Sequence, residues 1–508
     1  MLILPNDIYA VAFAYLYVFF WLGLLELIGK KGIVSKSNAR KMLHIVLGNI
    51  LFIMPLFSDN LVAAFIPLTF IPVNYLMSPL SPIKKIQLDT FEAGHSWGTI
   101  LYAVSLTVVV WFGFNSSWLL IVAFFPLCYG DGFAALVGTN TTSGSFELYS
   151  GKKSLLGSWS FVWFTFLSII IGLIIYNSMD LTNLSIEFII VLAIIFSVLG
   201  LLVELLSPKG MDNLFIPLIS LGVAYFGNSF IVNLSKNLDL TFFYWGFLIA
   251  VLFAIIGIVG KFLTLDGALA GLFIGMIIMG IGGWTLGAAL LTFFMVGSLV
   301  TKLNKKSQEE VSFEKGSSKR DSLQALAKAG FASFIAFCTL VYPNNFIIPI
   351  IVIGALGSSL ADTMGTEIGI WSKSIPRPIL QPWRKAKKGE SGAVSTIGTL
   401  ASIITAFIFA LFLQVLSNID PSMKPFPLSF LLLVPIASVI GMFLDSLFGV
   451  LLQEQYVCEV CQSKVETKEH CGEETKKISG FSFFKNDLVN FSATSIGGLL
   501  AGLLFVLI

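Results

Sequence analysis

The sequence predicts an all-α membrane protein, a polytopic transmembrane helical bundle of about sixteen spans in two halves. Three observations carry this. Of the 508 residues, 56% are hydrophobic, 47 of them Phe, and only 12% are charged, which excludes an ordinary soluble globular protein. Apolar runs of about 17 to 25 residues, the length that crosses a bilayer, follow one another along the chain. The Lys and Arg residues, which leave a formal net charge of only +2, collect in a few connecting segments. Nothing in this pattern supports nucleic-acid binding.

Taken in order, the first half is expected to span near 7–29, 43–57, 61–77, 98–114, 117–137, 155–176, 186–206 and 212–228. The second is expected to span near 242–260, 266–281, 284–301, 326–342, 346–361, 394–417, 428–452 and 490–508. The first run, Ile8 to Ile28, lacks a basic leader and a small-residue cleavage site, so it reads as a span and not a removable signal. With the N-terminus outside, the basic segments around Lys30 to Lys41, Lys84-Lys85, Lys152-Lys153, Lys209, Lys261, Lys302 to Arg320, Lys373 to Lys388 and Lys464 to Lys485 fall on one face. The loops Phe57 to Asn60, Phe112 to Ser117 and Tyr342 to Asn345 carry no Lys or Arg, and Lys236 and Lys424 are isolated exceptions. Such a bias makes the basic face cytoplasmic, in a prokaryotic cell membrane on this reading. The polar connector Ser229 to Leu240 divides domains 1–230 and 241–508, and no clear internal repeat is visible across it.

The first half centres on Gly130 to Ser158, where Asp131, a glycine-rich loop, Lys152-Lys153 and Ser154 stand between apolar runs. An acid beside a span is costly unless paired, hydrated or functional. Lysines after Gly151 and before Ser154 suit phosphate, through backbone N–H groups, a hydroxyl and ammonium charge. These residues point to a metal-nucleotide site. Arg40, Lys41 and His44 open a span; Arg40 and His44 are four apart and share one side of a helix, while the bland alternative for the Arg-Lys pair is a positive-inside anchor. Glu204 closes a span and Asp212-Asn213 opens the next, as caps or as metal-binding carboxylates. Asp89 and Glu92 read better as solvating a helix start than as metal ligands.

Asp131, Ala134 and Gly138, followed by Gly151, Lys152, Lys153, Ser154, Gly157 and Ser158, resemble the nucleotide-binding motif of the dolichol kinase and phytol kinase family, membrane enzymes that phosphorylate isoprenoid alcohols, typically with CTP. Arg40-Lys41 with His44, the His-Ser-Trp-Gly at His95 to Gly98, and the Glu204, Asp212-Asn213 pattern are also family-like. The chain departs from the family in a longer loop between Gly138 and Gly151, and in Leu156, where an acid often precedes the final Gly. The resemblance implies Mg2+ on Asp131 and Asp212, and CTP as phosphoryl donor.

In the second half Asp362 and Glu367 are five apart, about 140 degrees around an ideal helix, so only a break near Gly365 or a helix end lets both meet one ion. The Gly389 to Ser395 turn leaves N–H groups at a helix start, a generic anion site. Ser298, Thr301, Lys302, Lys319, Arg320, Asp321, Gln324, Asp362, Thr363, Glu367, Gly389, Gly392 to Ser395, Asp445, Ser446, Gln453, Asp487 and Asn490 resemble a second membrane family, that of plant phytyl-phosphate kinase and the animal transmembrane-19-like proteins. The resemblance implies a second phosphate site, with Asp362 on Mg2+. Lys328-Ala329 departs from an Asn-Gly common there and is assigned no role.

Five Cys make no disulfide framework in a chain of this length. Cys128 and Cys338 read as packing residues. Cys458-x-x-Cys461, with His470-Cys471, fits a small zinc knuckle, although adjacent His and Cys rarely both coordinate; the alternatives are a reduced loop without metal and redox chemistry.

These readings lead to a bifunctional membrane kinase. The first half converts a long-chain isoprenoid alcohol of the phytol, geranylgeraniol or dolichol type to its monophosphate, and the second makes the diphosphate. The rivals are a CTP-dependent lipid-phosphate cytidylyltransferase and a multi-pass transporter, whose site is expected near mid-membrane rather than at span ends.

Overall fold

A computed structural model describes residues 5–92, 97–138, 145–148, 151–208, 210–304, 319–372, 374–386, 388, 392–421, 423–461, 464–465 and 469–508. Two compact units emerge, Met1–Lys236 and Asn237–Ile508. Among the described residues, 14 helical segments are long and apolar enough to cross a membrane. The spans expected near 98–114 and 266–281 are the helices Gly98–Gly113 and Leu265–Gly280. Each has 16 residues, roughly 24 Å at 1.5 Å per residue, and falls short of the hydrocarbon core. Every expected span thus has its apolar helix, two of them short.

The connector between the units is tighter than its polarity suggests. Helix Asp212–Ser235 runs on through most of it, and helix Leu240–Val259 starts directly after Asp239, whose carboxylate caps it by accepting from the Thr241 N–H at 2.8 Å. The polar residues of 229–235 belong to a helix end, and the boundary falls after Lys236.

In the first unit the segment Trp118–Gly138 is the most enclosed span, packed by Lys36–Gly48, Leu155–Ser178, Ile186–Leu206 and Asp212–Ser235. It is not uniform. Trp118–Phe125 and Gly132–Gly138 are α-helical, and Pro126–Asp131 is a π turn. Pro126 has no N–H to continue the α ladder, so the widening has a local cause. In the second unit Ile347–Trp371 is the enclosed span, regular throughout and packed by Ser322–Phe337, Thr396–Ile419, Phe430–Leu451 and Asn486–Leu507. Cys128 is buried, as expected of a packing residue, whereas Cys338 is only half-buried at a helix end.

Strands are few and short. Ser145–Leu148 pairs with Gly151–Ser154, and Arg377–Pro378 pairs with Ala393–Val394. Near the C-terminus Gln455–Val457 lies between Lys464–Val465 and Lys476–Ser479, and Glu469–His470 pairs with Glu473–Glu474.

Candidate functional site

In the first unit the π turn delivers Asp131 to the Lys36–Gly48 helix, where Lys41 Nζ donates to Asp131 Oδ2 at 2.6 Å. Lys153, at the end of its strand, donates to Glu204. Asp131, Glu204 and Asp212 lie close enough for their charges to act on one another and on Lys153. Burial works against the Lys153 ammonium, but Glu204, Asp131 and Asp212 outweigh it and hold Lys153 above its ordinary value. Arg40 and Asn213 converge on Gly98, where a Cβ would stand 2.7 Å from Arg40 Nη2 and 3.1 Å from Asn213 Nδ2. Among the described residues, Arg40 Nε, His44 Nδ1 and Asn213 Oδ1 are buried with no hydrogen-bond partner. Buried polar atoms of that kind are uncommon and suit a polar ligand.

In the second unit Lys328 Nζ donates to Asp362 Oδ2 at 2.9 Å and reaches Thr363 Oγ1 at 3.1 Å. Glu367 faces elsewhere. It accepts from Thr301 Oγ1 at 2.8 Å and from Asn304 Nδ2 at 2.9 Å, and its charge acts on Arg320. Burial draws Arg320 below its ordinary value, and Glu367 opposes the shift. The helix runs unbroken past Gly365 to Trp371, so the break that would have let Asp362 and Glu367 meet one ion is absent, and the two carboxylates take different partners. Asp487, at the start of the last span, feels the charges of Asp321, Lys485 and Lys328. Asn490 donates to the Asn486 carbonyl at 2.9 Å, and Asp445 stands half-buried on Phe430–Leu451.

A shared arrangement links the two units, although no repeat is visible across the boundary in the sequence. Asp131 precedes Gly138 by seven residues, as Asp362 precedes Gly369. Seven residues are close to two full turns, so each Gly lies on the face of its Asp. That face meets a helix capped by a serine. Ser154 Oγ accepts from the Gly157 N–H, and Ser395 Oγ accepts from the Gly398 N–H, each at 3.1 Å and each after a short strand. A Cβ on Gly157 would approach Gly138 Cα to 3.3 Å, and one on Gly398 would lie 2.5 Å from the Gly365 carbonyl oxygen. Each Asp also takes a Lys from the helix packed before it.

This arrangement corrects several expectations. Gly151 to Ser154 is not an open phosphate loop but one strand of a hairpin, in which Lys152 is paired across from Glu147. Gly138 and Gly157 serve close helix packing, and Ser154 is a helix cap, with Ser158 in the first turn behind it. Ser395 likewise satisfies the helix start that was read as exposed N–H groups, and Gly392, at φ +70°, turns the chain into its strand. Lys302 is exposed, with its ammonium 4.9 Å from the Phe262 ring centroid, and Lys319 is also exposed. Glu26 accepts from the Asp89 N–H, the Thr90 N–H and the Thr90 hydroxyl, so the 89–92 segment is a helix start as expected. Gly389, His95 and the side chains of Lys152, Glu92 and His470 lie outside the described residues. Sequence reasoning missed Lys328, dismissed as a departure, and Asn304, which anchors Glu367 together with the Thr301 that it did name; a lone Lys inside an apolar run was the available signal.

Each unit also contains an apolar cavity, reaching His44 on the helix of Lys41 in the first and Lys328 in the second. In the first, a cavity of about 50 Å³, partly open at the surface, is walled by residues including Leu22, Leu47, Phe70 and Leu106, with His44, Asn74, Thr99 and Tyr102 as its polar groups. In the second, about 80 Å³ is walled by residues including Ile274, Met279, Leu290 and Phe294, with Arg320, Gln324 and Lys328 among them.

The family described as integral membrane protein DUF92 matches residues 248–498. Protein PGR of Arabidopsis thaliana is 32% identical over 256 residues, which cover 46% of this chain and 85% of that protein. Phytol kinase 1, chloroplastic, of the same plant is 28% identical over 213 residues, 39% of this chain and 69% of that protein. Farnesol kinase, chloroplastic, also from Arabidopsis thaliana, is 28% identical over 164 residues, 30% of this chain and 53% of that protein. No solved structure gives a significant match.

Proposed function

Because the chain belongs to the integral membrane protein DUF92 family, and resembles proteins named for phytol and farnesol phosphorylation, we propose that it is a bifunctional isoprenoid kinase working at the cytoplasmic face of a bilayer. The first unit transfers a phosphoryl group to a long-chain isoprenoid alcohol, and the second transfers another to the resulting monophosphate. CTP is the donor for which the motif resemblance argues. The observation that carries this reading is the Asp–Lys pair in each unit, with an apolar cavity that reaches His44, on the helix of Lys41, in the first and Lys328 itself in the second.

The cavities also favour the division of labour. The first presents neutral or weakly basic groups, His44, Asn74, Thr99 and Tyr102, which suit a hydroxyl head. The second presents Arg320 and Lys328, which suit a head that already carries phosphate. In the first unit Arg40, Lys41 and Lys153 supply the cations that hold the nucleotide phosphates, and Asn213 orients them. The alcohol oxygen bonds to the terminal phosphorus as the bond to the bridging oxygen breaks, and the alcohol proton passes to a carboxylate of the Asp131, Glu204, Asp212 cluster. Asp131 and Asp212 are the donors that fit Mg2+, as does Asp362 in the second unit, because Mg2+ binds through few carboxylates plus substrate phosphates. Bound there, it supplies charge neutralisation for the phosphates.

The test is to incubate the purified full chain with CTP or ATP, Mg2+, and a panel of prenyl alcohols and prenyl phosphates. The expected products gain one phosphoryl group per step by mass. A nucleotidyl adduct, or no nucleotide consumption with any acceptor, would overturn the reading.

A further inference from the structure

The second unit carries an added device at a position where the first has almost nothing. Between its last two spans the first unit has only Ser207 to Met211, whereas the second has Leu452 to Lys485. Backbone hydrogen bonds close the base of this insertion, from Phe481 N to Leu452 O at 3.0 Å and from Glu454 N to Phe484 O at 3.1 Å. Gln455 Nε2 ties it to the end of the preceding span through the Gly449 carbonyl at 2.8 Å. Its strands are two to four residues long, and Val460 and Ile478 are exposed, so burial of apolar surface does little to hold it.

Three thiols stand where such a fold needs a fastening. Cys458 and Cys461 flank the turn after the central strand, and Cys471 lies in the turn between Glu469–His470 and Glu473–Glu474, at φ +53° with Gly472 at φ +80°. Their Sγ atoms lie within 4.8 Å of one another, and none is in a disulfide. Thiolates on a tetrahedral zinc, with Zn–S of about 2.3 Å, sit roughly 3.8 Å apart, so the cluster closes on an ion with a small side-chain adjustment. We propose that Cys458, Cys461 and Cys471 bind one zinc ion through three thiolates. The ion clasps the insertion and so fixes the relation between Phe430–Leu451 and Asn486–Leu507, the helices that bear Asp445 and Asp487. Three soft sulfur ligands select zinc over the oxygen-seeking Mg2+ of the proposed phosphate sites. The site stands on the thiol geometry alone and does not depend on the kinase reading.

Elemental analysis of the full chain, purified in detergent without added metal, is expected to find about one equivalent of zinc. Cys461→Ser should lower it at least fivefold while leaving the chain folded by circular dichroism. In the zinc-loaded chain Cys458, Cys461 and Cys471 should resist N-ethylmaleimide, and all three should react after a strong chelator; Cys338 serves as the reference thiol. Less than a tenth of an equivalent in folded protein would overturn the proposal, as would a disulfide among the three. Should Cys461→Ser fail to fold, the chelator-dependent alkylation of the unsubstituted chain decides the matter alone.

Discussion

The two units solve one packing problem in the same way and surround the solution with different chemistry. In both, an Asp and a Gly seven residues apart share a face of the most enclosed helix, and a serine-capped helix with Gly at its third position closes against that face. In the first, Asp131 ends a π turn, and a second ion pair and two further acids, Glu204 and Asp212, gather around it. In the second, the helix stays regular, Lys328 alone is seen to pair with Asp362 among the described residues, and Glu367 is committed to Thr301 and Asn304. The spacing of Asp, Gly, Ser and Gly is thus a device for close helix contact. What reaches the Asp from neighbouring helices is where the two units differ.

The sharpest test of this division is carboxylate removal. Asp131→Asn is expected to lower alcohol phosphorylation by at least a hundredfold and leave conversion of a supplied prenyl phosphate intact, a size typical of losing an electrostatic group in a phosphoryl-transfer site. Asp362→Asn should do the reverse, so that monophosphate accumulates when alcohol is supplied. Equal loss of both steps in either variant would dissolve the distinction between the units.

A smaller effect is expected from the cations. Lys328→Ala leaves Asp362 without its ammonium and should slow the second step about ten- to a hundredfold, while Lys41→Ala does the same to the first. Separate initial rates with alcohol and with prenyl phosphate check this. An unchanged second step in Lys328→Ala would make that Lys a mere counter-ion.

Next come the helix contacts. Gly398→Ala drives a Cβ to 2.5 Å from a backbone oxygen, whereas at Gly157 the nearest atom is the Ser154 hydroxyl at 2.9 Å. Overpacking of this kind costs about 1–3 kcal/mol, with Gly398→Ala expected at the upper end and Gly157→Ala at the lower. Thermal unfolding in detergent would rank them, and a reversed order would show that the second unit is the looser of the two.

The least effect is expected at the caps. Ser154→Ala and Ser395→Ala should each cost about 1 kcal/mol, and Ser154→Asn, which retains a capping group, should recover most of it. If Ser154→Asn is as stable as the unsubstituted chain yet loses alcohol phosphorylation, the Ser154 hydroxyl contacts phosphate as well as capping its helix.

The amino-acid sequence by itself determined the membrane class, the position of every apolar helix and the acids beside the span ends, because bilayer length and the cost of charge in hydrocarbon are written residue by residue. It also marked Cys458, Cys461 and Cys471 by their spacing alone. Tertiary structure decided the partners. Lys41 meets Asp131 across ninety residues of chain, and Lys328, which looked like a departure from a motif, supplies the charge on Asp362. Gly151 to Ser154 had the composition of a phosphate loop and became a strand and a cap, since backbone N–H groups take the nearest good acceptor and only the fold shows which one that is. Asp362 and Glu367 diverge for the same kind of reason: a regular helix turns 100° per residue, and nothing in their spacing could say that the helix would run unbroken to Trp371.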